Sequence, residues 1–238
     1  MKKVKKKKRL NIKRTLTFIL LIYIVGYGIY YLLSRPIKHI EINGNNLVKD
    51  SEILRVANLK DYPSIMKYSN KTISNKIKEI DLVNDVKVKK WFGLKLIITI
   101  DENKVLFYYN DTSKIVLSNG NIIMNKYDDL KGIPVFLNTI DKNVYNKFIS
   151  NYSKLNNNVI YEINSLEYYP QLSEDGSVIS NDRFKILMKD GNTVVVNSGS
   201  VDVLNKYNDI YASLGGKIGT INLDSNKLDN LVFIPYEG

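Results

Sequence analysis

Residues 215–220 read Gly-Gly-Lys-Ile-Gly-Thr, with the glycines, lysine and hydroxyl of a loop that could cradle phosphate. Such a loop needs the G-x-x-x-x-G-K-[ST] spacing and must open a helix, so that several N–H groups converge on one anion. Here the spacing differs and the helical pattern lies before the glycines, so the stretch reads as a helix stop and a turn into a strand. The acidic groups Asp128-Asp129 and Glu174-Asp175-Gly176 could offer oxygens to a hard cation, yet neither has the ligand spacing of a calcium loop. Both read as solvated turns. His39 is the single histidine, and no G-x-S-x-G elbow exists for it to serve, so it reads as an ordinary surface histidine. With no cysteine, thiol nucleophiles and thiolate metal sites are excluded, and one imidazole cannot build a histidine-rich zinc site. No catalytic, cofactor-binding or metal-ligating residue is therefore assigned. Neither enzymatic activity, a cofactor nor a small-molecule substrate is expected.

What remains is surface for binding. Residues 231–234 read as a strand ended by Pro235, and near the chain end it is expected to form a sheet edge. An exposed edge carries backbone donors and acceptors ready to receive a strand from another chain. Leu231, Val232, Phe233, Ile234 and Tyr236 are the candidate partner-binding residues, the side chains setting specificity and the backbone supplying affinity. Phe233→Glu is expected to abolish capture and spare the fold. The same strand could instead only complete a core sheet. Trp91, the single tryptophan, falls at a hairpin turn and is expected to pack against the core of its module; a partner or lipid headgroups are the other contacts open to it.

These residues are positioned by an anchor and two modules. Residues 15–34, TLTFILLIYIVGYGIYYLLS, contain no charge. At roughly 1.5 Å per residue they span about 30 Å, the thickness of a bilayer's hydrocarbon core. The preceding residues 1–14 carry nine Lys or Arg and no acid, an excess that holds that end in the cytoplasm and leaves the rest of the chain outside. The apolar core is longer than that of a cleaved signal, and the only alanines, Ala57 and Ala212, lie too far downstream for a small-residue cleavage site, so a retained anchor is expected. Tyr27, Tyr30 and Tyr31 crowd its outer end, where amphipathic rings favour the membrane interface. Of the net charge of +11 the tail holds +9, which leaves the remaining chain nearly neutral. The basic run is therefore a topology device that can touch anionic lipid, and no nucleic acid is expected as a partner.

After Arg35-Pro36, residues 37–42 read as a strand closed by the turn Asn43-Gly44-Asn45. Asp50 or Ser51 can cap a short helix with Ile53, Leu54 and Ala57 on its apolar face. A second helix is expected from about Thr72, with Ile73, Ile77 and Ile80 at helical spacing. Val86 and Val88 then alternate with lysines, and after Trp91-Phe92-Gly93 the residues Leu94, Leu96, Ile98 and Ile100 alternate on one face. The order is strand, helix, helix, strand, strand. The motifs Ile42-Asn43-Gly44-Asn45, Leu82-Val83-Asn84-Asp85-Val86 and Ile98-Thr99-Ile100-Asp101-Glu102 stand at its corners. That order, just outside a single membrane helix, resembles a POTRA domain, and the chain resembles the bacterial cell-division family FtsQ/DivIB.

From Lys104 strands dominate. Asn119-Gly120 and Asp190-Gly191 mark hairpins, Asp141 begins a helix with Val144, Phe148, Tyr152 and Leu155 on one side, and residues 160–169 read as a strand. Ser200 could cap a last helix bearing Val203, Tyr207, Ile210, Tyr211 and Leu214, stopped by Gly215 before two short strands. Residues 188–194, 204–214 and 219–224 resemble the family's C-terminal β domain.

The expected fold class is thus α+β: a basic cytoplasmic tail (1–14), a transmembrane helix (15–34), a POTRA module of β-α-α-β-β order (35–103) and an FtsQ/DivIB-type mixed β domain with packed helices (104–238). The resemblance implies a non-catalytic divisome protein in the cell membrane at the septum. It would bind FtsB/DivIC through the C-terminal edge, together with FtsL, and act indirectly on FtsW and the septal transpeptidase. The alternative is a POTRA-bearing component of an envelope transport or polypeptide-translocation system, which would show tandem POTRA repeats or a long run of barrel strands.

Overall fold

A computed structural model describes residues 11–91, 93–127, 130–224 and 231–236. The chain divides into two compact units, Met1–Glu102 and Asn103–Gly238. The first begins with α1 (Ile12–Leu33), whose N-terminus is capped by the side chain of Asn11 and none of whose residues is buried. This helix is long and apolar enough to cross a membrane. It starts three residues before the uncharged stretch and takes Lys13 and Arg14 into its first turn.

The rest of this unit is β1 (His39–Asn43), α2 (Asp50–Val56), α3 (Asn70–Ile77), β2 (Val83–Trp91) and β3 (Lys95–Glu102). The sheet order is β1-β3-β2, with β1 parallel and β2 antiparallel to the central strand. Leu96, Ile98 and Ile100 of β3 are buried at a period of two, and Ile53, Ile73 and Ile77 of the helices are buried with them. Ser69 caps α3, its hydroxyl accepting from the Thr72 N–H at 3.0 Å. Neither Asp50 nor Ser51 caps α2. Lys49 holds the cap position with no side-chain hydrogen bond, and Asp50 falls in the first turn, where its charge complements the helix dipole.

Three corners of the sequence meet here. A Cβ on Gly44, which has φ +83°, would stand 2.2 Å from the Ile100 carbonyl oxygen, so only glycine lets the turn after β1 approach β3. The Glu102 carboxylate then accepts from the N–H groups of Asn46, Leu47 and Val48, each at 3.0 Å. Asn84 donates to Asp101 at 2.7 Å. One expectation fails: Trp91 does not pack on the core but is 62% exposed. The alternation of β2 puts it on the same side as Lys87 and Lys89, away from buried Val86.

The second unit comprises β4 (Val105–Tyr109), β5 (Lys114–Leu117), β6 (Ile122–Met124), β7 (Val135–Phe136), α4 (Lys142–Tyr152), α5 (Asn157–Glu162), β8 (Ile163–Tyr168), β9 (Gln171–Leu172), β10 (Val178–Ser180), β11 (Arg183–Met188), β12 (Thr193–Asn197), a 3₁₀ turn (Val201–Lys206), α6 (Tyr207–Ser213), β13 (Gly219–Asn222) and β14 (Val232–Pro235). Nine strands form one mixed sheet, β14-β13-β12-β11-β8-β7-β4-β5-β6, with two ends rather than a closed barrel. Its helix-covered face is aromatic: Phe148 stacks on Phe184 with ring centroids 3.9 Å apart, and Tyr152 meets Phe107 edge-on. Val144, Phe148, Tyr152 and Leu155 are all buried, as their spacing predicts. Residues 160–162 belong to α5 and not to the following strand. Burial of Val159 and Ile160 in one helical turn, and the Lys189 N–H bond to the Glu162 carbonyl at 2.8 Å, outweigh their strand-like composition. Ser200 precedes the 3₁₀ turn without capping it; its hydroxyl accepts instead from the Asn197 N–H at 3.1 Å.

Candidate functional site

One of the two edges of the nine-stranded sheet is β14; the other is β6. Strand β14 pairs antiparallel with β13 through Gly219↔Pro235, Thr220↔Ile234, Ile221↔Phe233 and Asn222↔Val232. The Tyr236 N–H donates to the Ile218 carbonyl at 3.1 Å. Since hydrogen-bonded pairs alternate along an antiparallel ladder, Ile234 and Val232 face β13 in the same way, and the Phe233 N–H and C=O are directed to the open side. Pro235 belongs to that open-facing set, where its missing N–H costs no ladder bond.

The side chains alternate to match. Leu231 and Phe233 pack against the buried core, whereas Val232 and Ile234 are 52% and 58% exposed. Tyr236 is also exposed along much of its ring, but its hydroxyl donates to Thr193 Oγ1 at 2.7 Å, which ties the end of the edge to β12. The five candidate residues therefore split into outward Val232 and Ile234, inward Leu231 and Phe233, and a tethered Tyr236. Phe233→Glu would place a carboxylate against the core, so the expectation that it spares the fold does not hold.

A polar network holds the edge in place. The hairpin side chain of buried Asn192 accepts from the Gly219 N–H at 2.9 Å and donates to the Tyr207 hydroxyl at 3.0 Å. That hydroxyl donates to Asp190 at 2.6 Å. Burial, and then the bond to Asp190, push the Tyr207 phenol well above its ordinary pKa, so it remains a donor. Gly219 itself has no room for a side chain. A Cβ there would lie 2.3 Å from the Ile234 carbonyl oxygen and 2.8 Å from the Pro235 Cα. These four residues are the supports that sequence reading missed; the adjacency of Asp190-Gly191-Asn192 to a turn glycine was the available signal.

A family model describing an FtsQ-type POTRA domain matches residues 35–103. The cell division protein DivIB of Staphylococcus pseudintermedius (strain HKU10-03) is 22% identical over 211 residues, covering 85% of this chain and 69% of that protein. DivIB of Brevibacillus brevis (strain 47 / JCM 6285 / NBRC 100599) is 21% identical over 189 residues, covering 76% of this chain and 69% of that protein. Residues 35–103 thus form an FtsQ-type POTRA domain, and over most of its length the chain is similar to DivIB cell division proteins. Among solved structures, the major extracytoplasmic domain of DivIB from Geobacillus stearothermophilus aligns with 48% of this chain and 96% of its own at 20% identity, with a TM-score of 0.37.

The remaining candidate stretches of the chain are turns or surface. Gly215 and Gly216 take φ of +64° and +73° where α6 ends, and Gly219 opens β13. Asp175 lies in the turn between β9 and β10, where the Ser173 hydroxyl first, and then the N–H and hydroxyl of Ser177, hold its carboxyl down to about 2. His39 is exposed at the start of β1. Asp128-Asp129 lies outside the described residues. Among the described residues no group of three or more His, Asp or Glu side chains is gathered for a metal ion.

Proposed function

We propose that this chain is a member of the FtsQ/DivIB family and serves as a non-catalytic, single-pass scaffold of the divisome. Its basic tail lies in the cytoplasm and its two folded units lie on the outer face of the membrane at the septum. The β14 edge receives a strand from an FtsB/DivIC-like bitopic protein, itself paired with an FtsL-like one. Through them it helps set when FtsW and the septal transpeptidase build septal peptidoglycan. The observation that carries this reading is β14 at the end of the sheet, with Val232 and Ile234 facing outward and one backbone edge open. A single-pass anchor supports it further, because confinement to the bilayer surface raises the local concentration of other anchored partners.

The test is capture of the FtsB/DivIC-like extracytoplasmic segment by the full chain in detergent. Ile234→Asp is expected to weaken capture by roughly tenfold or more. Equal capture by the variant and the unaltered chain would remove β14 from the account.

A further inference from the structure

The exposed Trp91 borders a cleft of about 810 Å³ in the first unit, beside the end of α1. The cleft is lined by Leu33 of the apolar helix, by Met66 and Trp91, and by the cations Arg35, Lys38 and Lys90, with no carboxylate in the lining. Met66 is 56% exposed. Its position relative to the helix is pinned. Ser64 Oγ donates to the Leu33 carbonyl at 3.3 Å, the Ile37 N–H to Pro63 at 3.0 Å and the Lys38 N–H to Leu94 at 2.9 Å. Only residues 34–38 separate the helix from β1. The cleft thus stands where the apolar span ends, at the level of the headgroups.

The chemistry fits that level. Tryptophan and tyrosine favour the interface, and lysine and arginine reach from apolar surface to phosphate. The Arg35 guanidinium lies 5.2 Å from the Tyr31 ring centroid, which holds it at the rim. Lys90 Nζ donates to the Tyr68 carbonyl at 2.6 Å and keeps further donors for an anion; burial pushes its pKa down, a penalty that a phosphate would offset.

We propose that this cleft binds an anionic phospholipid of the leaflet in which α1 ends, the phosphate on Arg35, Lys38 and Lys90 and an acyl chain along Leu33, Met66 and Trp91. The proposal rests on the membrane anchor and is independent of the β14 edge. Because Trp91 is the only tryptophan, its emission reports this cleft alone. The full chain is reconstituted into nanodiscs of phosphatidylcholine with a fixed fraction of phosphatidylglycerol, one or the other carrying brominated acyl chains at the same abundance. Quenching by brominated phosphatidylglycerol is expected to exceed that by brominated phosphatidylcholine by roughly twofold. The double variant Arg35→Gln/Lys38→Gln is expected to abolish the difference. Equal quenching by the two lipids overturns the proposal. So does an absence of quenching, the outcome if a protein segment fills the cleft. Co-elution of the chain with the discs reads the anchor separately, so a failure of docking is distinguishable from a failure to span.

Discussion

Gly219→Ala tests whether the edge strand is placed by backbone contact. The residue does not need positive φ, so alanine brings no conformational strain and acts only through its methyl group. That methyl would stand 2.3 Å from the Ile234 carbonyl oxygen and 2.7 Å from the Phe233 ring, whereas a carbon–oxygen contact needs about 3.3 Å. Strand β14 must therefore retreat by about 1 Å or detach, and overpacking of this kind costs about 1–3 kcal/mol. Because β14 is paired on one side only, the damage is expected to stay local. Amide exchange of Val232, Ile234 and Tyr236 should accelerate, that of β11 should not, and capture of the FtsB/DivIC-like segment should fall in step. Gly216→Ala is the control: its φ of +73° makes alanine unfavourable, but its Cβ would meet only the Tyr211 hydroxyl at 3.8 Å, so β14 should keep its protection. If Gly219→Ala leaves both exchange and capture unchanged, the close contact does not position the edge.

Val232→Asp and Ile234→Asp replace exposed side chains and are expected to change stability by no more than about 0.5 kcal/mol in denaturant titrations, whereas Phe233→Glu should cost about 2 kcal/mol or more. Equal midpoints for the three would contradict the alternation described for β14. Glu102→Gln removes the charge from an acceptor of three backbone N–H groups and replaces one of its oxygens with a donor. A loss of about 2 kcal/mol is expected from the urea midpoint of the first unit. Asp175 is held below its unfolded pKa, so its support for the β9–β10 turn is fully present above about pH 4 and is lost as pH falls through about 2. A carboxyl titration followed by NMR should find its midpoint near that lower value, and a midpoint near the ordinary aspartate value would show that the serine contacts are not maintained in solution.

Much of this was legible in the sequence because local pattern and tertiary demand agree. The alternation in β3, the spacing of Val144, Phe148 and Tyr152, and the Asn-Gly and Asp-Gly turns all survive into the fold. The edge position expected for residues 231–234 is also where β14 lies. What escaped depended on distant contacts. Nothing local to residues 160–162 announces that Lys189 will bond to the turn they form, and nothing in residues 231–236 says that Phe233 will face the core. Which parity of a strand points inward is settled by the strand beside it. Trp91 is the instructive case: it was expected to pack against the core, although its parity with Lys87 and Lys89 already placed it outward. The period was the better guide.

Strands β1 and β3 lie side by side and run in the same direction, through the pairs His39↔Lys95 to Asn43↔Thr99. The chain enters β1 from α1 and leaves for the second unit from the end of β3. A load applied between the start of β1 and the end of β3 therefore acts lengthwise on this pair, so its ladder bonds share it instead of unzipping one by one. The POTRA module is thereby laid out to carry tension along its strands.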